Sequence, residues 1–435
     1  MAQSTIAALS SGSLPSGVAI IRLSGPKALR AVQTLCGDIP APRKLGLRTL
    51  RDPETGDPLD QGLVATFPAP HSFTGEDCAE LQVHGSPAGV KAILGALTAM
   101  EGIALAGPGD FTRRAFENGK LDLTAIEGLG DLIAAETESQ RKQALARLSG
   151  ALAEKITLWR DALIDARAEI EAHLDFADED DVPQDLPRDF GPRLARLASD
   201  IESVLAGYAD GRIVREGFRI VLAGPPNAGK SSLLNALAGS DLAIVTDEAG
   251  TTRDTKDVAI DLGGQLVIVT DTAGLRETTS KAEAAGIART GRALDLADLV
   301  LWLEAPDVAP MPLPESQSAL WRLATKADLQ NDPSPDTFAI SVVSGTGLKT
   351  LISRLKSHIE TRLSGAETGL VSHLRDRQAL ETARDHIHRA IALADRAELC
   401  AEELRLTSDA LARLVGLIDT EAVLDRLFAG FCIGK

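Results

Sequence analysis

The sequence predicts a multidomain α/β protein. A small α+β domain comes first, and an all-α helical domain made of two chain segments flanks an inserted α/β domain that carries a P-loop. Two observations lead to this prediction. The chain has 435 residues, whereas one domain ordinarily takes about 100–200 residues. The spacing of apolar residues also changes three times, which divides the chain into segments 1–119, 120–212, 213–365 and 366–435.

The first two segments differ in the period of their apolar residues. Segment 1–119 alternates short β-like runs, such as Val18–Leu23, with helical stretches, such as Pro87–Leu97. This alternation is typical of an α+β domain. In segment 120–212 the apolar residues recur at helical spacing, which predicts long helices with a break near Pro183–Pro192.

Segment 213–365 alternates apolar β-like runs with glycine loops and helices, as in a predominantly parallel α/β sheet. A hairpin is expected at Gly263–Gly264, which separates two of these runs. The predicted strands are Phe218–Ala223, Val258–Leu262, Leu266–Thr270, Leu299–Leu303, Trp321–Ala324 and Phe338–Val343. Segment 366–435 returns to helical spacing, so the economical arrangement packs it against segment 120–212.

The charge of the chain argues against a protein that coats nucleic acid with its whole surface. Lys and Arg number 45 and Asp and Glu number 62, so the net charge is 45 − 62 = −17, and aromatic residues make up only 3%. Residues 161–210 hold 14 acidic and 4 basic side chains, a net of −10. An acidic face of this kind repels phosphates.

A cytoplasmic protein without a membrane segment is expected. The sequence contains no apolar run of about 18 residues, the length that spans a bilayer. Its four cysteines are scattered and form no C-x-x-C pair, which disfavours a disulfide framework or a zinc site. They are Cys36, Cys78, Cys400 and Cys432.

The strongest local signal is the sequence G-P-P-N-A-G-K-S at Gly224–Ser231, directly after an apolar run and before a predicted helix at Ser231–Leu237. It matches the phosphate-binding loop G-x-x-x-x-G-K-[ST]. The glycines let backbone N–H groups approach phosphates, which the following helix N-terminus also favours. We expect Lys230 to reach the β- and γ-phosphates and Ser231 to bind Mg²⁺.

Two further motifs follow in the order expected of a nucleotide hydrolase. The segment Gly250–Asp254 offers a threonine hydroxyl to Mg²⁺, with Thr252 as the candidate and Thr251 as the alternative. The segment Asp271–Gly274 comes at the end of a predicted strand. Asp271 would hold the water shell of the metal, and Gly274 would let the backbone approach the γ-phosphate.

The segment Thr325–Asp328 predicts recognition of guanine. The Asp328 carboxylate can accept two hydrogen bonds from the N1–H and N2–H₂ edge of guanine, an edge that adenine lacks. The Lys326 stem would cover the base. In the segment Ser341–Gly347, Val342 or Val343 would supply a backbone donor to the guanine oxygen.

The group that orients the attacking water is less evident. Leu275 follows Gly274, where a Ras-like enzyme carries its water-orienting glutamine. An apolar side chain cannot orient water. Glu283 is the available carboxylate.

These motifs and others along nearly the whole chain resemble the MnmE/TrmE family of tRNA modification GTPases. The specific segments are Gly17–Gly25, Phe73–Asp77, Glu80–His84, Gly109–Arg113, Lys120–Leu123 and the terminal Phe431–Lys435, with sequence FCIGK. The resemblance implies a GTPase that works with an FAD-dependent partner protein in a heterotetramer or larger complex. By the same resemblance, this pair is expected to add an aminomethyl or carboxymethylaminomethyl group to carbon 5 of the wobble uridine in certain tRNAs.

The resemblance also implies a homodimer joined through N-terminal domains that bind tetrahydrofolate, as 5,10-methylenetetrahydrofolate or 5-formyltetrahydrofolate. Arg22, Glu80, Lys120 and Lys435 match the folate-contacting positions. The cationic side chains suit the anionic glutamate tail of a folate, and Glu80 can accept from the N–H edge of the pterin. Cys432 is a candidate nucleophile or proton-transfer group, and Lys435 would lower its pKa.

The family is activated by K⁺ bound beside the phosphates when two nucleotide domains meet. Asn227 matches the side-chain ligand of K⁺, helped by backbone oxygens within Thr246–Thr251, and Glu283 matches the water-orienting acid. With these positions the expected catalytic residues are Glu283, Lys230 and Cys432. The expected metal sites are Ser231 and Thr252 for Mg²⁺, and Asn227, Thr246, Glu248 and Thr251 for K⁺. The expected GTP-binding residues are Asn227, Ala228, Gly229, Lys230, Ser231, Ser232, Thr246, Thr251, Thr252, Asp271, Thr272, Ala273, Gly274, Thr325, Lys326, Asp328, Ser341, Val342 and Val343.

Two departures from the usual pattern lead to expectations of their own. Thr325 stands where the guanine motif usually has an asparagine, so an amide that braces the loop is lost and affinity is expected to fall. Between Leu303 and Trp321, four prolines predict that the usual helix is shortened or absent. They are Pro306, Pro310, Pro312 and Pro314.

Two alternative functions stay open. The first is a ribosome-assembly or other RNA-linked switch GTPase, for which a basic RNA-binding appendage would be expected, and none is found in the sequence. The second is a folate-dependent transferase with an incidental GTPase.

Overall fold

The structure is a computed structural model that describes residues 4–175, 186–244, 257–272, 293–314, 318–329, 338–363, 369–418, 421–431 and 434. The chain divides into two compact units. The first unit contains Met1–Gly130, Ala153–Thr157 and Ser408–Lys435, and the second contains Asp131–Leu152 and Leu158–Thr407. None of the helices in the described ranges is long and apolar enough to cross a membrane.

The N-terminal part of the first unit is a six-stranded mixed sheet with the strand order β3-β4-β5-β2-β1-β6. Its pairs are antiparallel except β1 with β6. Alternate residues of β1 point to opposite faces, because Ala7 joins one buried cluster and Ile6 and Ala8 join another that contains Phe111. The strands are β1 (Thr5–Leu9), β2 (Ser16–Ser24), β3 (Gly46–Arg51), β4 (Pro58–Phe67), β5 (Cys78–Gly85) and β6 (Ile103–Leu105).

Helices accompany this sheet and continue through the all-α part. The helices α1 (Ala28–Cys36), α2 (Pro87–Ala99) and α3 (Asp110–Glu117) belong to the α+β region. The first all-α segment holds α4 (Leu123–Ala134), α5 (Glu138–Leu148), α6 (Ala151–Asp175), α7 (Phe190–Ala206) and α8 (Tyr208–Glu216). After α9 (Lys230–Ala238) and α10 (Leu348–Leu363) of the inserted domain, the last segment holds α11 (Leu374–Ala392), α12 (Ala397–Val415) and α13 (Glu421–Ala429).

The inserted domain has the sheet that its apolar runs predict. Its strand order is β12-β11-β10-β7-β9-β8, and every pair is parallel except the β8–β9 hairpin. Gly263 and Gly264 form the turn of this hairpin with φ angles of 68° and 86°, values that favour glycine. The elements are β7 (Phe218–Ala223), α9 (Lys230–Ala238), β8 (Asp257–Asp261), β9 (Leu266–Asp271), β10 (Leu299–Glu304), β11 (Ala319–Ala324), β12 (Phe338–Ala339) and α10 (Leu348–Leu363).

The central strand β7 is buried on both faces, as parallel strands covered by helices usually are. Ile220 and Leu222 belong to one buried cluster, whereas Val221 and Ala223 belong to another. The sequence prediction of a multidomain α/β protein with an inserted P-loop domain is therefore confirmed.

Two predicted bounds were wrong. The strand expected at Phe338–Val343 ends at Ala339, because the Ser341 amide donates to Thr346 O in a local turn instead of to a neighbouring strand. Helix α7 begins at Phe190, so Pro192, the expected far end of the helical break, lies inside α7, whereas Pro183 lies outside the described residues. Proline is tolerated there because the first N–H groups of a helix have no intrahelical acceptor.

The expectations for the proline-rich flank and for the two helical segments are confirmed. The described residues between β10 and β11, which are 305–314 and 318, contain no helix. Helix α7 of the first all-α segment packs along α11 of the last. His388 of α11 contacts Glu202 of α7 with 3.2 Å between Nε2 and Oε1.

Candidate functional site

The phosphate-binding loop connects the buried strand β7 to α9. Gly224 has a φ of 141°, and a Cβ added there would lie 2.4 Å from Leu303 O, so only glycine fits between the two strands. Gly229 has a φ of 91° just before α9 begins, and Asn227 has a φ of 61°. These left-handed positions turn the loop around the N-terminus of α9, where N–H groups favour an anion.

Lys230 lies inside this loop. Its side chain is buried, and Nζ donates hydrogen bonds to Gly224 O at 2.9 Å and to Pro225 O at 2.8 Å. The backbone of the phosphate-binding loop therefore fixes the position of the ammonium group. An ammonium is a compact point charge with three donors, which suits phosphate oxygens.

Ser231 and Asp271 form the next part of the site. Ser231 Oγ donates to Asp271 Oδ2 at 2.5 Å. The parallel pairing of β7 and β9 sets this contact, since Asp271 lies opposite Leu222 just before the loop. A hydroxyl and a carboxylate are oxygen ligands of the type that Mg²⁺ prefers, so both residues fit a magnesium site.

The neighbouring predicted residues have different surroundings. Thr272 Oγ1 donates to Leu222 O at 2.8 Å, so this hydroxyl is used within the sheet. Ala228 is fully buried, whereas Ser232 is exposed in the first turn of α9.

The guanine motif lies against the phosphate-binding loop. Thr325 Oγ1 donates to Ala228 O at 2.6 Å, and Glu304 O lies 3.1 Å away. A hydroxyl has one proton, so the shorter contact to Ala228 is the better bond. Although the asparagine amide is absent, the threonine hydroxyl supplies a bond between the two motifs. Its effect on nucleotide affinity stays a prediction.

Asp328 is fixed by the segment after β12. The buried Ser341 donates from Oγ to Asp328 Oδ1 at 2.5 Å, and Ala327 N donates to Ile340 O at 3.1 Å. Val343 is 90% exposed and Val342 packs against the core. At Gly347 the chain comes back against the end of β12, where a Cβ would lie 2.2 Å from Ala339 O.

Sequence reasoning missed the partner of Lys326. Lys326 Nζ contacts Asp307 Oδ2 at 2.6 Å, and this hydrogen bond lowers the pKa of the Asp307 carboxyl below its ordinary value. Lys326 also has a φ of 54°, which is uncommon for a residue other than glycine. Asp307 lies in the proline-rich flank, and no local motif relates it to Lys326.

The N-terminal sheet brings Arg22 and Glu80 together as neighbours on adjacent strands. Arg22 Nε and Nη2 both donate to Glu80 Oε1, at 3.1 and 3.0 Å. The guanidinium carbon lies 5.4 Å from the ring centroid of Phe73 and 5.8 Å from that of Phe111. Both side chains are about one-fifth exposed, so this charged pair is accessible to a ligand.

Lys120 and the C-terminus approach the same domain. A Cβ on Gly75, two residues after Phe73, would lie 3.2 Å from Lys120 Cε. Gly434 O accepts a hydrogen bond from Ser10 Oγ at 2.9 Å, and Ser10 follows β1. The remaining predicted site residues lie outside the described residues: Thr246, Glu248, Thr251, Thr252, Ala273, Gly274, Glu283, Cys432 and Lys435.

Comparisons with known proteins match both halves of this arrangement. The family description "GTP-binding protein TrmE N-terminus" matches residues 5–120, and "MnmE helical domain" matches residues 123–432. The tRNA modification GTPase MnmE of Brucella anthropi is 48% identical over 437 residues, covering 100% of this chain and 98% of that protein.

The chain belongs to the MnmE family of tRNA modification GTPases. This membership confirms the expected resemblance and the expected enzyme, a GTPase that acts in tRNA modification. The tRNA modification GTPase MnmE of Bradyrhizobium sp. is 47% identical over 440 residues. This match spans 99% of this chain and 99% of that protein. Among solved structures, the G domain of the T. maritima FeoB iron transporter is 25% identical with a TM-score of 0.24. The match spans 33% of this chain and 98% of that G domain.

Proposed function

We propose that this chain is a K⁺-activated GTPase that, with an FAD-dependent partner, installs an aminomethyl or carboxymethylaminomethyl group at carbon 5 of the wobble uridine of certain tRNAs. A tetrahydrofolate would donate the one-carbon unit. The observation that carries the proposal is the presence of two separate built sites in one chain of this family. One is the phosphate and guanine site, and the other is the Arg22–Glu80 pair in the N-terminal sheet.

In the nucleotide site, each residue has its own proposed role. Lys230 would bind the phosphates, Ser231 and Thr252 would hold Mg²⁺, Asp271 would hold the water shell of this metal, and Asp328 would accept from guanine. Bound Mg²⁺ supplies charge neutralisation at the phosphate oxygens. Thr325 couples the base to the phosphate loop through its bond to Ala228 O. Glu283 would orient the attacking water in place of Leu275.

The position of Asn227 in the phosphate-binding loop, between Gly224 and Lys230, supports its proposed role as a K⁺ ligand. An amide oxygen is a hard donor that suits a monovalent cation. The expected backbone ligands within Thr246–Thr251 complete this proposed site.

The charged side chains of the N-terminal site support the proposal that it binds a folate. Arg22 and Lys120 offer cations to its glutamate tail, and both bonds from Arg22 end on Oε1 of Glu80. Oε2 of Glu80 accepts no hydrogen bond from the described residues, so it can accept from the pterin. Phe73, which is 38% exposed beside Arg22, offers an aromatic ring to a planar ligand.

A homodimer, the FAD-dependent partner, tRNA and a cytoplasmic location belong to the same proposal, as does the division at residues 119, 212 and 365. The net charge of −10 in residues 161–210 supports a division of labour in which the partner supplies much of the grip on tRNA.

Deleting the gene in its own host tests the proposal. We expect mass spectrometry of isolated tRNA to show loss of the modification at carbon 5 of the wobble uridine, restored when the intact gene is returned. Unchanged tRNA in the deletion strain would contradict the proposed function.

The proposed K⁺ activation predicts a higher GTP turnover in KCl than in NaCl, by roughly tenfold or more, since a cation beside the phosphates acts as an arginine finger does. The variant Asn227→Gly keeps the positive φ but lacks the amide, so it should lose this preference. Steady-state phosphate release at equal ionic strength measures both. Equal rates of the unchanged chain in the two salts would refute the potassium role.

A further inference from the structure

The two ends of the inserted P-loop domain cross in backbone contact. The domain is entered through α8 and left through residues 369–373, and Gly211 of α8 lies against Gly369. A Cβ on Gly369 would lie 2.4 Å from Gly211 Cα, and a Cβ on Gly211 would lie 2.6 Å from Val371 O. No side chain fits at this crossing, so the entry and exit segments are held at the distance of two glycine backbones.

One face of α5 bonds to both segments. Gln143 Nε2 donates to Gly211 O at 3.0 Å and to Gly369 O at 2.8 Å, and an amide nitrogen has the two protons that this requires. Arg147 donates to Leu370 O, and Gln140 Nε2 donates to Arg215 O at 2.9 Å. The spacing 140, 143 and 147 places the three side chains on one side of a helix.

The N-terminus of α5 contacts a third part of the inserted domain. Ser139 N donates to Gly264 O at 3.0 Å, in the turn of the β8–β9 hairpin. Strand β9 follows this turn and ends at Asp271, the residue that accepts from Ser231. A shift of β9 at the metal-binding end would therefore reach α5 through a rigid strand and one hydrogen bond.

We propose that Gln143 is a positioning residue that joins both ends of the P-loop domain to α5 and so couples the nucleotide site to the exit segment 369–373, which leads directly into α11 at Leu374. On this face of α5, the Gln143 side-chain amide donates both to the entry segment, at Gly211 O, and to the exit segment, at Gly369 O. It contacts none of the nucleotide-binding residues described above. The expected effect of Gln143 on wobble-uridine modification rests on the proposed function. Its role in fastening the entry and exit segments does not.

The test is Gln143→Met, which keeps the length of the side chain and removes both donors. We expect the GTP kcat to stay within about twofold, because no group at the nucleotide site changes. Wobble-uridine modification in the deletion strain should fall about fivefold or more, the size expected when a coupling residue is lost. Gln378→Met, on the exposed side of α11, is the matched control and should change neither value.

Amide hydrogen exchange of the full chain tests the fastening without tRNA. In Gln143→Met, exchange in residues 369–373 and in α8 should rise about tenfold, because both segments lose the donor that fastens them and open locally more often. Exchange in β7 should stay unchanged, which a general loss of stability would not allow. Unchanged exchange in residues 369–373 would overturn the proposal, as would losses of hydrolysis and modification in equal proportion. If the intact gene fails to restore modification in the deletion strain, the proposed function is wrong. The exchange rates of residues 369–373 would still test the role of Gln143.

Discussion

Replacing Lys230 by alanine is expected to lower kcat/KM for GTP hydrolysis by roughly 10²–10³-fold, the loss typical when one preorganised donor to developing negative charge is removed. The expected loss is large because Lys230 acts in two ways. Its ammonium group provides a buried positive charge at the phosphate loop, and it also holds that loop through Gly224 O and Pro225 O. Without it the loop loses both the charge and two hydrogen bonds.

The measurement is single-turnover hydrolysis together with the affinity for GTP and GDP. Lys349→Ala is the matched control, since Lys349 is exposed on α10 of the same domain. It should leave both quantities unchanged. A Lys230→Ala protein that melts at the temperature of the unchanged chain and hydrolyses GTP at its rate would contradict the assignment.

The elements with a strong local pattern were predictable from the sequence. The strand Phe218–Ala223 has the predicted bounds, because β7 is a central strand bounded by glycines on both sides. The hairpin at Gly263–Gly264 was predictable because glycine alone adopts its φ angles at low cost. The end of β12 was not, because the apolar residues Val342 and Val343 continue the pattern of a strand while a local turn takes the Ser341 amide.

The same division applies to the site. Lys230, Ser231 and Asp271 follow from motif spacing, and the pairing of β7 with β9 brings them together. Asp307 could not be found from the sequence, because its contact with Lys326 joins residues 19 apart across a flank without regular structure. The coupling face of α5 was equally hidden, since Gln143 and Gly369 are 226 residues apart. Sequence patterns report local conformation, and these contacts depend on tertiary packing.

The buried ion pair beside Gln143 carries the second large expected effect, on stability. Arg147 Nη1 lies 2.8 Å from Asp376 Oδ2, and both side chains are 0% exposed. Arg147→Met should lower the free energy of local unfolding in α11 by about 3 kcal/mol, the low end of the range for breaking a buried pair. The low end applies because Arg375 still contacts Asp376 Oδ1 at 3.1 Å.

Native-state hydrogen exchange in α11 measures this loss without assuming that the whole chain unfolds in one step. Arg362→Met is the matched control, because Arg362 pairs with Asp210 while 48% exposed. A partly exposed pair of this kind contributes at most about 1 kcal/mol. Equal effects of the two variants would show that the pair of Arg147 and Asp376 has no special weight.

The double variant Arg147→Met with Asp376→Asn separates charge from hydrogen bonding. Neutralising Asp376 removes the cost of a buried carboxylate without its cation, so the double variant should lose less than the sum of the two single losses. It should not regain the full stability, because Leu370 O has still lost the Arg147 donor and a buried unsatisfied carbonyl costs about 1–3 kcal/mol. Additive losses would contradict the pairing. Full recovery would instead show that the hydrogen bond from Arg147 to Leu370 O contributes nothing to stability. The contact between α5 and the exit segment at Leu370 would then be energetically neutral.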